Sequence, residues 1–132
     1  MSEITTLTVR TGTGERTRAE ARQRVRALED GDPVESRHVL VLEDEHDLQR
    51  LLSPANLALL RAIRRHEPAS MRAAAELVDR NFKDVHRNLT ELEQLNVIEF
   101  EETGRAKRPL VRFDEIDVEV SLRDNETDVA SA

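Results

Sequence analysis

The sequence has no cysteine, no tryptophan and no tyrosine, and only three phenylalanines among its 132 residues. Without cysteine there are no disulfides, no thiolate metal ligands and no redox-sensing thiol. No apolar run approaches the roughly 18 residues that a membrane-spanning helix needs. The opening MSEITTLTVR lacks the basic-then-apolar layout of a secretory signal. The expectation is a cytoplasmic chain with no membrane partner, long enough for one modest core. There is no internal repeat and no long linker.

Lysine is nearly absent as well. Only Lys83 and Lys107 stand beside 18 arginines and 27 acidic residues, for a net charge of −7. High Asp/Glu with so little Lys resembles the proteome of an extreme halophile, where a carboxylate surface holds water and cations. A GC-rich mesophile that favours Arg codons is the alternative. The charge is also unevenly placed. Residues 1–60 carry 8 basic and 11 acidic side chains, net −3; residues 61–112 carry 11 and 9, net +2; residues 113–132 carry 1 and 7, net −6. An acidic chain that keeps one positively balanced segment most often uses it on nucleic acid.

Read along the chain, EITTLTVR (3–10) alternates as a strand, TGTG (11–14) is a turn, and 15–30 is a helix with Ala21, Val25 and Leu28 on one stripe. That stripe needs a partner surface, within the chain or across a two-fold axis. Gly31-Asp32-Pro33 stops the helix, HVLVLE (38–43) is a second strand, and Asp44 caps a short helix carrying Leu48, Leu51 and Leu52. Ser53-Pro54 restarts a helix that runs to about His66 with Leu57, Leu60 and Ile63 inward, and Pro68 closes it. Ser70 caps MRAAAELV, whose alanines allow close approach. A turn at 79–81 leads to a third helix ending near Leu95, with Asn96 where a left-handed cap is expected. VIEFEE (97–102) is a strand, TGRAKRP (103–109) a cationic loop, LVRF (110–113) a strand, and IDVEVSL (116–122) a further one.

From Ser53 the order is helix, short helix, tight turn, helix, strand, cationic hairpin, strand, as in a winged helix-turn-helix. In the third helix Val85, Leu89 and Leu92 share one face, while Arg80, Lys83, Arg87, Thr90 and Gln94 share the other. The fold class is therefore α+β: a winged helix-turn-helix over 51–122, a strand-helix-strand extension over 1–50 that braces or dimerises it, and a disordered acidic tail over 123–132. The marks L-S-P-x-N-x-x-L-L-R-A-I (52–63), V-H-R-N-L-x-x-L-E-x-L (85–95) and the T-G tip of the wing (103–104) resemble the small winged-helix predicted transcriptional regulators of archaea. They are more loosely similar to MarR- and ArsR-type regulators. One departure is Asn96, where such proteins commonly have Gly. The resemblance implies sequence-specific DNA binding, often as a homodimer.

The expected roles follow from position. A recognition helix over about 81–95 places Lys83 and Arg87 mid-groove, with Arg87 the main candidate for guanine O6/N7 and His86 and Thr90 flanking it. Arg80 and Asn81, at the helix start, suit phosphate, as do Ser70 and Arg72 at the start of the bracing helix. Arg105, Lys107 and Arg108 in a wing over about 103–109 would reach backbone or minor groove. Each also has a plainer reading. Arg72 and Arg80 have Glu76 and Asp84 at helical spacing, Asp84 is unfavourable beside phosphate, and Arg61, Arg64 and Arg65 suit salt-bridged surface.

Catalytic signals are absent. TGTGER (11–16) lacks the Lys-Ser/Thr of a phosphate loop. His38 and His46 bracket Glu43, Asp44 and Glu45, but no third ligand follows at metal spacing. No nucleophile has a positioned base. The sequence thus reads as a non-enzymatic regulator binding double-stranded DNA, with no cofactor and no metal. The alternative is a winged-helix protein-interaction module or antitoxin.

Overall fold

The computed structural model describes residues 5–31 and 38–122. The start of the expected first strand, the Asp32-Pro33 stop and the expected tail at 123–132 lie outside them. The chain forms two compact units. One comprises the described residues up to Leu48 and from Glu115 onward; the other is Gln49–Asp114.

In the first unit, β1 (Thr6–Thr11) is the middle strand of a three-stranded sheet, between β2 (His38–Leu42) and β5 (Glu115–Glu119). Both pairings are parallel. A parallel neighbour cannot be reached by a tight turn, and α1 (Glu15–Glu29) supplies the crossover from β1 to β2. The register sets Leu7 and Val9 beside Leu40, Ile116 and Val118 on one face. The other face carries Thr8 and Arg10 beside Val39, Val41, Asp117 and Glu119. Helix α1 meets this second face. Arg10 donates from Nη1 to Thr17 Oγ1 (3.1 Å) and Glu20 Oε2 (2.6 Å) on α1, and from Nε to Glu119 Oε1 (2.6 Å) on β5. The Glu20 hydrogen bond is the largest cause that holds the Arg10 guanidinium above its already high ordinary pKa. Its charge is therefore fixed across the usual pH range.

Arg10 is 6% exposed while its partners are 27% and 40% exposed. Arg10→Ala leaves two carboxylates facing each other, partly hydrated, so the expected loss is about 1–3 kcal/mol, below that of a fully buried pair. A lowered urea midpoint at unchanged slope is the check.

The α1 stripe finds no cover among the described residues: Val25 and Leu28 are 54% and 63% exposed. β5 also departs from the sequence reading. It was expected to follow the wing within a domain ending at 122; instead the second unit ends at Asp114 and β5 completes the β1 sheet. The open edge of β1 supplies the reason, because Ile116 and Val118 continue the face of Leu7 and Val9.

In the second unit the L-S-P-x-N mark is a corner. α2 (Glu45–Leu51) ends, Ser53 Oγ accepts from Asn56 N (3.2 Å), and buried Asn56 donates from Nδ2 to the Arg50 carbonyl (2.7 Å). α3 (Pro54–His66) buries Leu59, Leu60 and Ile63; Leu57, expected inward, is half-buried, and Leu59 takes its place. α4 (Met71–Leu77) is capped by Ser70 and buries Ala74 and Ala75. The turn that follows is a Schellman motif: Arg80 N donates to Ala75 O (3.1 Å) and Asp79 N to Glu76 O (3.2 Å), with Asp79 left-handed at φ 53°. α5 (Phe82–Gln94) buries Val85, Leu89 and Leu92 and ends in the same way. Asn96 takes φ 62°, and Val97 N donates to Leu92 O (2.9 Å). The expected left-handed cap at Asn96 is present. Because Asp at φ 53° is strained, Asp79→Gly is expected to stabilise this unit by about 0.5–1 kcal/mol, read as a raised urea midpoint.

The wing is tighter than the expected seven-residue loop. β3 (Glu99–Thr103) and β4 (Ala106–Leu110) pair antiparallel with only Gly104 and Arg105 between them. Gly104 at φ 63° in the first central position is what a type II′ turn needs. Lys107 and Arg108 therefore lie on a strand and point to opposite faces. The expected strand at 110–113 is displaced to 106–110 by the same turn. These elements make the α+β winged helix-turn-helix, joined to a strand-helix-strand extension. Among the described residues no helix is long and apolar enough to cross a membrane.

Candidate nucleic-acid interface

Asn81 opens α5, its Oδ1 accepting from Lys83 N (2.7 Å). From there the helix has two unlike sides. Val85, Leu89 and Leu92 are 0–1% exposed, while Lys83, His86 and Arg87 are exposed. Arg87 keeps 64% of its side chain in solvent, with Asp84 Oδ1 3.4 Å from its Nη2. An exposed i,i+3 pair of this kind is weak and yields readily to a stronger anion. Thr90 is half-buried and donates its hydroxyl to the His86 carbonyl (2.8 Å), leaving the oxygen as an acceptor only. Carboxylates Glu91 and Glu93 occupy the later turns, so the cationic character belongs to the first half of α5.

The start of α4 meets the start of α5 through an aromatic. The Arg72 guanidinium lies 4.4 Å from the Phe82 ring centre, and the His86 ring stands 5.8 Å from it, tilted by 49°. Such a stack holds Arg72 in one place at about 0.5–1 kcal/mol. It replaces the Glu76 pairing that helical spacing offers. Ser70 Oγ already accepts from Ala73 N (3.0 Å) as the α4 cap. Arg80 turns inward. Its Nη2 donates to Asn88 Oδ1 (2.6 Å), and its Nη1 is buried without a partner.

On the wing, Arg105 is exposed at the turn and Lys107 is exposed with Nζ 5.9 Å from the Phe100 ring centre. Arg108 is only 31% exposed and lies 3.9 and 4.0 Å from the carboxylates of Glu67 and Glu101. Arg64, expected on the salt-bridged surface, pairs with Asp114. Among the possible metal ligands, His46 Nδ1 lies 3.0 Å from Asp44 Oδ1 at the start of α2, and His38 opens β2.

Phe82 and Asn88 were missed in the sequence. Asn88 had a weak signal, since Asn81, Asp84 and Asn88 recur at helical spacing. Phe82 had none, because its partner Arg72 belongs to another helix.

The family HVO_A0114 matches residues 51–118, which span the whole of the second unit from the end of α2. Among solved structures the chain is similar to one described as the crystal structure of the predicted DNA-binding transcriptional regulator from E. coli. The TM-score is 0.47 at 12% identity, over 75% of this chain and 83% of that one. No curated protein matches the chain.

Proposed function

That match spans just over half of the chain, which therefore belongs to the HVO_A0114 family, and from this premise we propose that it is a sequence-specific, double-stranded-DNA-binding transcriptional regulator. The observation that carries the reading is the division of α5, with three apolar side chains sealed against the unit and Lys83, His86 and Arg87 turned outward. A helix with one face sealed and long polar side chains on the other is what major-groove reading requires. Arg87 would read guanine. Lys83, Asn81, Ser70 and Arg72 would serve phosphate nearby, and His86 and Thr90 would flank. Arg105 and Lys107 would follow the backbone or minor groove. Arg80 and Arg108, turned toward Asn88, Glu67 and Glu101, would position the helix and wing and touch DNA secondarily.

Selection of bound sequences from random duplexes, at low and at molar KCl, tests this reading. Recovery of a shared motif supports it; no enrichment at either salt sinks it. The composition further points to a haloarchaeal, cytoplasmic protein. In molar salt, counterion release contributes little, since affinity falls with a log–log slope of about −0.9 per neutralised phosphate. A halophilic regulator is therefore expected to show a shallow or reversed salt slope, and a steep negative slope would contradict that origin.

The exposed Val25 and Leu28 of α1 favour a homodimer over two half-sites, checked by sedimentation equilibrium. A second reading, a winged-helix protein-interaction module or antitoxin, draws on Asp84, Glu91 and Glu93, which repel phosphate from the same helix.

A further inference from the structure

The first unit contains a cleft of about 850 Å³ that the DNA reading does not use. It lies at the carboxyl end of the parallel sheet. Thr11, the last residue of β1, and Ser121, just beyond β5, both line it. The crossover from β1 leads through α1 to β2, and β5 occupies the opposite edge. The cleft therefore lies beside the junction of β1 and β5. Ligands of open parallel sheets bind outside the carboxyl ends of the strands, and here the first half of α1 forms one wall of the cleft.

The lining is cationic in a chain of net charge −7. Arg10, Arg16, Arg18 and Arg22 line it together with Glu15 and Glu119. The carboxylates are not shared evenly. Glu20 and Glu119 engage Arg10 at 2.6 Å each and approach Arg16 at 3.7 and 3.9 Å. Arg18 has only a neutral acceptor among its described contacts, the Thr13 carbonyl at 3.5 Å. Arg22 carries no ion pair among the described residues. The Arg10 network therefore serves as a fixed floor, while Arg18 and Arg22, one helical turn apart on α1, line the cleft with no carboxylate partner among the described residues. Guanidinium forks match the paired oxygens of phosphoryl and carboxyl groups. The volume suits a metabolite, and a concave site suits a small molecule better than a duplex.

We propose that this cleft binds a small multivalent oxyanion, phosphoryl or carboxyl, held by Arg18 and Arg22. The inference is independent of what α5 binds. Calorimetric titration of the whole chain with inorganic pyrophosphate and, separately, with citrate tests it, each at an ionic strength held constant with KCl. Saturable binding of at least one anion, one per chain, is expected, and the stronger of the two assigns the chemistry. Affinity should fall by about tenfold or more in the Arg18→Gln/Arg22→Gln double variant, since both forks are lost. Both positions are exposed, so circular dichroism should show α1 intact. Absence of saturable binding by either anion overturns the proposal, as does equal affinity in the double variant. Loss of anion binding in Lys83→Ala/Arg87→Ala instead would place the anion on α5 and also overturn it.

Discussion

Exchanging Lys83 and Arg87 together for alanine is expected to reduce affinity for the selected duplex by about 30- to 1,000-fold, roughly 2–4 kcal/mol. The two losses have different origins. A bidentate arginine–guanine contact contributes about 1–3 kcal/mol of discrimination, so Arg87→Ala alone should also blur the motif at one base pair. Lys83 is proposed as a point charge on phosphate, so its loss should weaken all sequences alike and make the salt slope shallower by about one. Electrophoretic retention over a KCl series separates the two. Both side chains are exposed, so the fold should be unchanged by circular dichroism. Asp84→Asn is the converse experiment: it releases Arg87 from its 3.4 Å partner and removes a negative charge, so retention should rise. Full retention by the Lys83/Arg87 double variant would leave the protein-interaction reading standing.

Leu89→Ala should cost about 2–5 kcal/mol, the largest stability effect expected of a single substitution in the second unit. Leu89 is 0% exposed and sits between Val85 and Leu92, which are 0% and 1% exposed. Truncation leaves a cavity between α5 and its neighbours that the close α4 alanines cannot fill. A small domain holds only about 5–15 kcal/mol in all, so the urea midpoint should drop sharply. Leu77, 45% exposed on α4, is the control, and its alanine variant should move by no more than about 0.5 kcal/mol. Because the buried face of α5 orients the exposed one, Leu89→Ala should also weaken duplex retention while leaving the chemistry of Lys83 and Arg87 unaltered.

The helices were legible because their signals are local. Ser53-Pro54 and Ser70 stand where caps stand, and each serine oxygen accepts the expected backbone N–H; the cap at Asn81, read in the sequence only as a phosphate contact, came from the structure. Asn96 stands where a left-handed residue ends α5. The 3.6-residue period of Val85, Leu89 and Leu92 marks which side is buried. The wing was misjudged in length, because T-G-R-A closes in two residues only if Thr103 and Ala106 pair, and pairing is a property of two strands.

What lies beyond local pattern is decided by partners distant in sequence. Arg10 alternates in β1 as though facing water, yet Glu20 and Glu119 bury it. β5 reads as a third strand of the wing, yet β1, about a hundred residues earlier, receives it. Arg72 has Glu76 at helical spacing and stacks on Phe82 instead. The amino-acid order alone determined the helices, most of their caps and the two faces of α5, since hydrogen-bond closure and hydrophobic period act within one turn of chain. Only the folded molecule decided which arginines remain exposed, where the last strand pairs, and that a cationic cleft opens beside β1, because each depends on desolvation by residues that the linear order keeps apart.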